Sequence, residues 1–148
     1  MIYNAYIPKH FKPHELMPPG MESNDRYIYY LDGRPLLLMD HLRIRFGSII
    51  VNNYVTGGNI KYAGFRPNDC PVGNPTSQHR FGRAFDLKFK RDVDLKDVAN
   101  HIVSTPVFFQ LVNCIRIYNW GIHIDSRNTL QGIVVWDEAT NNTKVVRL

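Results

Sequence analysis

Cysteine is scarce in this chain. Cys70 and Cys114 are the only two among 148 residues, too few for a disulfide framework and too far apart for a paired-thiol metal clamp. Two unpaired thiols suit a reducing compartment. Long apolar runs are also missing, and nothing approaches the ~20 consecutive apolar residues that cross a bilayer, so no membrane span is predicted. The opening MIYNAYIPKHFKPHEL has no apolar signal core, because Lys9, His10, Lys12 and His14 interrupt it. The expectation is synthesis in the cytoplasm, with any exit by a route that needs no cleaved signal. Repeats, low-complexity tracts and Gly/Ser linkers are absent, which predicts one domain over residues 1–148. Acids are outnumbered, 13 against 18 Lys and Arg, for a net charge of +5. That balance favours anionic partners, nucleic acid or an acidic cell envelope. The basic residues are dispersed, with only Lys88, Lys90 and Arg91 close together, and no nucleic-acid motif is present, so no specific nucleic acid is expected.

What remains is 44% hydrophobic, enough for an ordinary core. Residues 1–33 are Pro-rich early on and predict a surface-wrapping N-terminal segment with one helical turn at His14 to Met17; residues 34–148 form the core. Leu37, Leu38, Leu42, Ile44 and Phe46 recur between Pro35 and Gly47, the pattern of a helix with Pro in its first turn and Gly at its end. Ser48 to Asn53 is β-branched and reads as a strand. Thr56 to Thr76 reads as a long loop, of a length that in compact domains is usually functional or disordered. Ala84 to Phe89 alternates as a strand, and Asp94 caps a helix running to about Ser104, with a further helical segment after Pro106. Four strands follow: Cys114–Tyr118, Gly121–Asp125, Gly132–Trp136 and Lys144–Arg147. Asn119-Trp120-Gly121 and Thr140-Asn141-Asn142 supply hairpin turns. Helices followed by a run of strands predict an α+β fold with a small antiparallel sheet flanked by helices.

The chemistry concentrates in TSQHRFGRAFDLK, Thr76 to Lys88, and GIHID, Gly121 to Asp125. If Phe85, Leu87 and Phe89 face the core, Asp86 faces the other way; His123 and Asp125 likewise share the face opposite Ile122 and Ile124. A carboxylate inside an apolar strand needs a partner or a metal, and His123 between two isoleucines has the same need. His79 lies in the loop just before, and Gly82 permits the turn that folds it back over the strand. Two imidazoles and a carboxylate are the ligand set of an open zinc site on one sheet face. His10, His14, His41 and His101 read as ordinary surface or hydrogen-bonded residues.

SQHRFGRAFD resembles the Ser-x-His-x-x-Gly-x-Ala-x-Asp signature of the D-alanyl-D-alanine carboxypeptidase and endolysin peptidase family, zinc peptidases of bacterial cell walls and bacteriophages with a hedgehog-like fold. Ser77, His79, Gly82, Ala84 and Asp86 all fit. HLRIRFGSIIVNN, the loop carrying GFRP, and GIHIDSR are also similar, so the likeness spans roughly Leu36 to Arg127. It implies one zinc per chain on His79, Asp86 and His123, and hydrolysis of peptide bonds in peptidoglycan. The setting it implies is an endolysin or virion-associated enzyme acting in the cell wall or periplasm; no separate wall-binding domain is visible in these residues. Ser77 would order the loop, and Gly82 and Ala84 would leave room beside the ion. Many members carry an acid three residues before the last histidine; here that position is Trp120. Asp125 is then either a general base or a partner that orients a ligand histidine. Arg66 in GFRP is either a clamp for a substrate carboxylate or polarised carbonyl, or a surface arginine of the loop. A catalytically degenerate assembly protein on the same fold is the alternative that Trp120 keeps open.

Overall fold

The computed structural model describes residues 6–23, 26–129 and 132–147. A short helix, α1 (Pro13–Leu16), precedes the 14-residue α2 (Gly33–Phe46), whose N-cap Asp32 accepts from the Arg34 backbone and whose chain leaves through Gly47 at φ 89°. Then come β1 (Ile49–Ile50), β2 (Ala84–Phe89), α3 (Leu95–Ser104) capped by Asp94, β3 (Cys114–Ile117), β4 (Ile122–Asp125), β5 (Ile133–Asp137) and β6 (Asn142–Val146). Single 3₁₀ turns sit at Tyr27–Tyr30, Tyr54–Thr56, Gln78–Phe81 and Pro106–Gln110.

The fold is α+β, with one six-stranded sheet in the order β1-β2-β4-β3-β5-β6. The sheet is mixed rather than antiparallel, because β3 and β5 pair in parallel, Cys114 opposite Val134. The reason is topological. Chain direction alternates from β3 to β4 to β5, so β3 and β5 run the same way, and the connection after β4 passes β3 to place β5 on its far side. The two hairpins form where the turn residues predict them: Tyr118 N–H donates to Gly121 O at 2.9 Å, and β5 pairs antiparallel with β6.

Alternation sorts the sheet into two faces. Phe85, Leu87, Ile115, Ile122, Ile124 and Ile133 are buried in one cluster with Leu36, Leu38, Met39 and Leu42 of α2 and Val98 and Ile102 of α3. Ile44, grouped with the apolar face in the sequence, is exposed; two positions beyond Leu42 turns it about 200° away. The N-terminal segment sends Phe11, Leu16 and Met17 into the same core.

The strand predicted over Ser48 to Asn53 shrinks to Ile49–Ile50, because Asn52 has other partners. Its backbone N–H donates to Glu15 O, its Nδ2 to Met17 O, and its Oδ1 accepts from Ala63 N–H, all at 3.0 Å. One buried asparagine thus ties the N-terminal segment and the long loop to the sheet edge, satisfying groups that would otherwise be orphaned.

Candidate metal centre

β2 and β4 are antiparallel neighbours, and Asp86 lies directly opposite His123 in the ladder. Their side chains therefore rise side by side from the face opposite the core, as their strand phases predict. His79 reaches them from the Gln78–Phe81 turn, which Gly82 ends at φ 68° with its N–H on His79 O. A Cβ at Gly82 would collide with the carbonyl of Tyr30, so both the left-handed backbone and the close approach require glycine.

Asp86 Oδ1 lies 2.7 Å from His123 Nδ1 and 3.3 Å from His79 Nε2. The outward nitrogens are both held. His79 Nδ1 sits 2.8 Å from Gly64 O; a carbonyl only accepts, so Nδ1 carries a hydrogen and Nε2 is the nitrogen turned toward Asp86. His123 Nε2 lies 2.9 Å from Asp125 Oδ2. That leaves Nε2 of His79, Nδ1 of His123 and a carboxylate oxygen of Asp86 converging, all within 4.8 Å of one another. Zinc bonds of ~2.0–2.1 Å in a tetrahedron place ligand atoms ~3.3 Å apart; with separations of 2.7 and 3.3 Å and the third pair within 4.8 Å, these three donors could hold a metal ion.

The electrostatics favour the ligating form of Asp86 but hold a proton on His123. Burial opposes ionisation of Asp86, but hydrogen bonds from His123 and His79 and their charge outweigh it and hold the carboxyl well below the usual range. Burial also opposes a proton on His123, yet hydrogen bonds to Asp125 and Asp86 and their charges raise its pKa. A cation at Nδ1 therefore competes with that proton.

Asp125 is fully buried, and its two oxygens are engaged. Oδ1 accepts from Arg127 Nε at 2.7 Å and from the Arg127 backbone at 3.2 Å; Oδ2 accepts from the other Arg127 branch and faces His123. Despite its burial, the hydrogen bonds of Arg127 and His123 lower its pKa to about 2. Arg66 approaches Asp86 from the other side, with a guanidinium nitrogen 3.2 Å from Oδ2 and its Nε donating to Tyr62 O at 2.6 Å. Ser77 acts through its backbone, accepting from Arg80 N–H and donating to Asn74 O.

Grooves open on both sides of the cluster. One of about 290 Å³ is lined by Asp86, Arg66, Tyr62, Val72, Lys88 and Trp120; another of about 250 Å³ is lined by Ser77, Gln78, Arg116, His123 and Arg127 among others. Trp120 is exposed, stacked on Tyr118 with ring centroids 5.0 Å apart, and forms a wall of the first groove.

Two arginines that the sequence reading passed over complete the architecture. Arg80 donates to the carbonyls of Asn74, Pro67, Asn68, Cys70 and Gly73, gathering the long loop around one guanidinium. Its only sequence signal is its place beside His79. Arg127 was within reach of the alternation argument, lying two residues past Asp125. Among the described residues no helix is long and apolar enough to cross a membrane. Comparisons with models of known families, with curated proteins and with solved structures give no match to this chain.

Proposed function

We propose that this chain is a zinc-dependent peptidase that hydrolyses peptide bonds of bacterial peptidoglycan, as an endolysin or virion-associated enzyme. The observation that carries the reading is the convergence of His79 Nε2, Asp86 Oδ1 and His123 Nδ1 between two open grooves, with each imidazole's outer nitrogen already clamped. The match of Ser77, His79, Gly82, Ala84 and Asp86 to the peptidase signature supports the bond class.

Bound there, zinc supplies Lewis acidity toward a carbonyl and brings the pKa of a coordinated water to ~7. The protein's own groups do the positioning. Gly64 O and Asp125 fix the two rings, and Arg127 fixes Asp125. Arg66 holds the second oxygen of Asp86 and stands on the groove wall, where a substrate carbonyl or carboxylate meets its guanidinium. A carboxylate with both oxygens occupied and a pKa near 2 is a poor proton acceptor, which favours Asp125 as the group that orients His123 rather than as the general base.

One observation favours a second reading, a metal-binding assembly protein without catalysis. Apart from Asp86, no carboxylate lines either groove beside the cluster among the described residues, and Trp120 stands where many members of the resembled family carry an acid. Elemental analysis with wall digestion separates the two. The peptidase contains one zinc per chain and releases new amino termini, without new reducing ends, in a chelator-sensitive manner; His123→Ala loses the zinc while staying folded. Zinc without release selects the second reading. Release of reducing ends, or full zinc occupancy in His123→Ala, overturns the proposal.

A further inference from the structure

The ladder register extends the metal site across the sheet. Asp86 pairs with His123, His123 with Arg116, Arg116 with Trp136, and Trp136 with Thr143, a single row over five strands. With strands ~4.8 Å apart, the Arg116 backbone is one strand from His123 and two from Asp86. The grooves follow this row. Arg116 and Arg127 line both the groove that reaches His123 and a neighbouring one of about 430 Å³ floored by Cys114, Val134 and Trp136.

The charges along this row are unequal. Arg66 faces Asp86, and Arg127 is paired with both oxygens of Asp125, so each has its countercharge. The guanidinium of Arg116 meets the Tyr118 side chain and the Cys114 thiol instead. No acid lines either of the two grooves it borders, among the described residues. Tyr118 and Trp136, edge to face at 5.5 Å, form an aromatic wall beside it. A planar fork donor with no acid lining its grooves among the described residues, beside the candidate metal cluster, is suited to a carboxylate.

We propose that Arg116, with Trp136 and Tyr118 as its apolar wall, is a subsite for a free carboxylate on the substrate peptide, one or two residues from the bond being cut. The span follows from the single strand spacing between Arg116 and His123 against ~3.3 Å per extended residue. The subsite lies on the side of the cluster away from Arg66 and makes the site selective for acidic peptides over their amidated counterparts. It deepens the peptidase reading and rests on it for the substrate's orientation.

Binding is measured by calorimetry on the zinc-loaded full chain with two stem-peptide fragments, identical except that one carries a free carboxylate and the other its amide. The acid binds tenfold or more tightly to the wild type. Arg116→Gln binds both alike at unchanged zinc content, and Arg116→Lys, which keeps the charge but not the fork, retains part of the preference. Equal affinities in the wild type, no binding of either fragment at millimolar concentration, or a preference that survives Arg116→Gln overturns the subsite. The same samples are assayed for cleavage. An Arg116-dependent preference without cleavage upholds the subsite while the peptidase reading fails, and cleavage of both fragments without preference does the reverse.

Discussion

At the scale of single residues, Asp125 is the most informative side chain. Its oxygens serve Arg127 and His123, so its effect on chemistry passes through the orientation of an imidazole. Asp125→Asn is expected to weaken zinc binding about 10–100-fold, with activity returning in excess metal. A base would behave differently, losing roughly 10²–10⁴ in turnover with zinc affinity intact. Titrating zinc into both proteins and assaying at each occupancy distinguishes the two outcomes. Asp86, His123 and Asp125 were legible in the sequence because a strand's two-residue period assigns faces without knowledge of the partner strand. Arg80 was not legible, since its role is defined by carbonyls of residues 67–74 whose path no local pattern specifies.

At the scale of elements, the turn that carries His79 depends on Gly82. Alanine there must hold φ near 68° and push against the Tyr30 carbonyl, so Gly82→Ala should cost more than the ~1–2 kcal/mol of left-handed backbone alone and should displace His79. Gly20→Ala is the control: φ is 89° but the space around it is open, so only the backbone cost applies. Denaturant midpoints and zinc content of the two variants test the difference, and equal losses would mean that the contact with Tyr30 is unimportant. Helices and hairpins were readable from caps and turns, as at Asp94 and Tyr118 to Gly121. The parallel β3–β5 pair was not, because it follows from which edge the chain crosses. The loss of strand at Asn52 was equally hidden, because its competing partners lie at residues 15, 17 and 63.

At the scale of the whole molecule, Asp32 joins distant parts. It caps α2, pairs with Arg34, accepts from the buried Ser126 hydroxyl at 2.7 Å just past β4, and donates its backbone N–H to Gly82 O. Burial opposes its ionisation, but the hydrogen bonds of Arg34 and Ser126 and the charge of Arg34 prevail, and its pKa is lowered. A depressed folded-state value contributes stability that is present above the unfolded pKa of ~3.9 and is lost as pH falls through the folded value. Asp32→Asn should therefore melt below the wild type at pH 7, and the gap should close on acidification below about pH 4. Melting curves from pH 7 to 2.5 test this, and a gap that stays constant with pH would assign the loss to the missing cap alone.

The direct opposition of Asp86 and His123 also bears on how the chain folds. A slip of one residue between β2 and β4 would invert the slipped strand alone, turning Asp86 into the core and Phe85 toward water, or His123 inward and Ile124 outward, so the two ligands would lie on opposite faces. Only the native register presents the ligands together, so a cation that binds them stabilises that pairing and no slipped one. At a free concentration 100 times its dissociation constant, this adds ~2.7 kcal/mol to the gap separating correct from misaligned strands. The ion would then act as a proofreader of strand alignment, and growth in metal-poor conditions would yield more misfolded chain as well as less loaded protein.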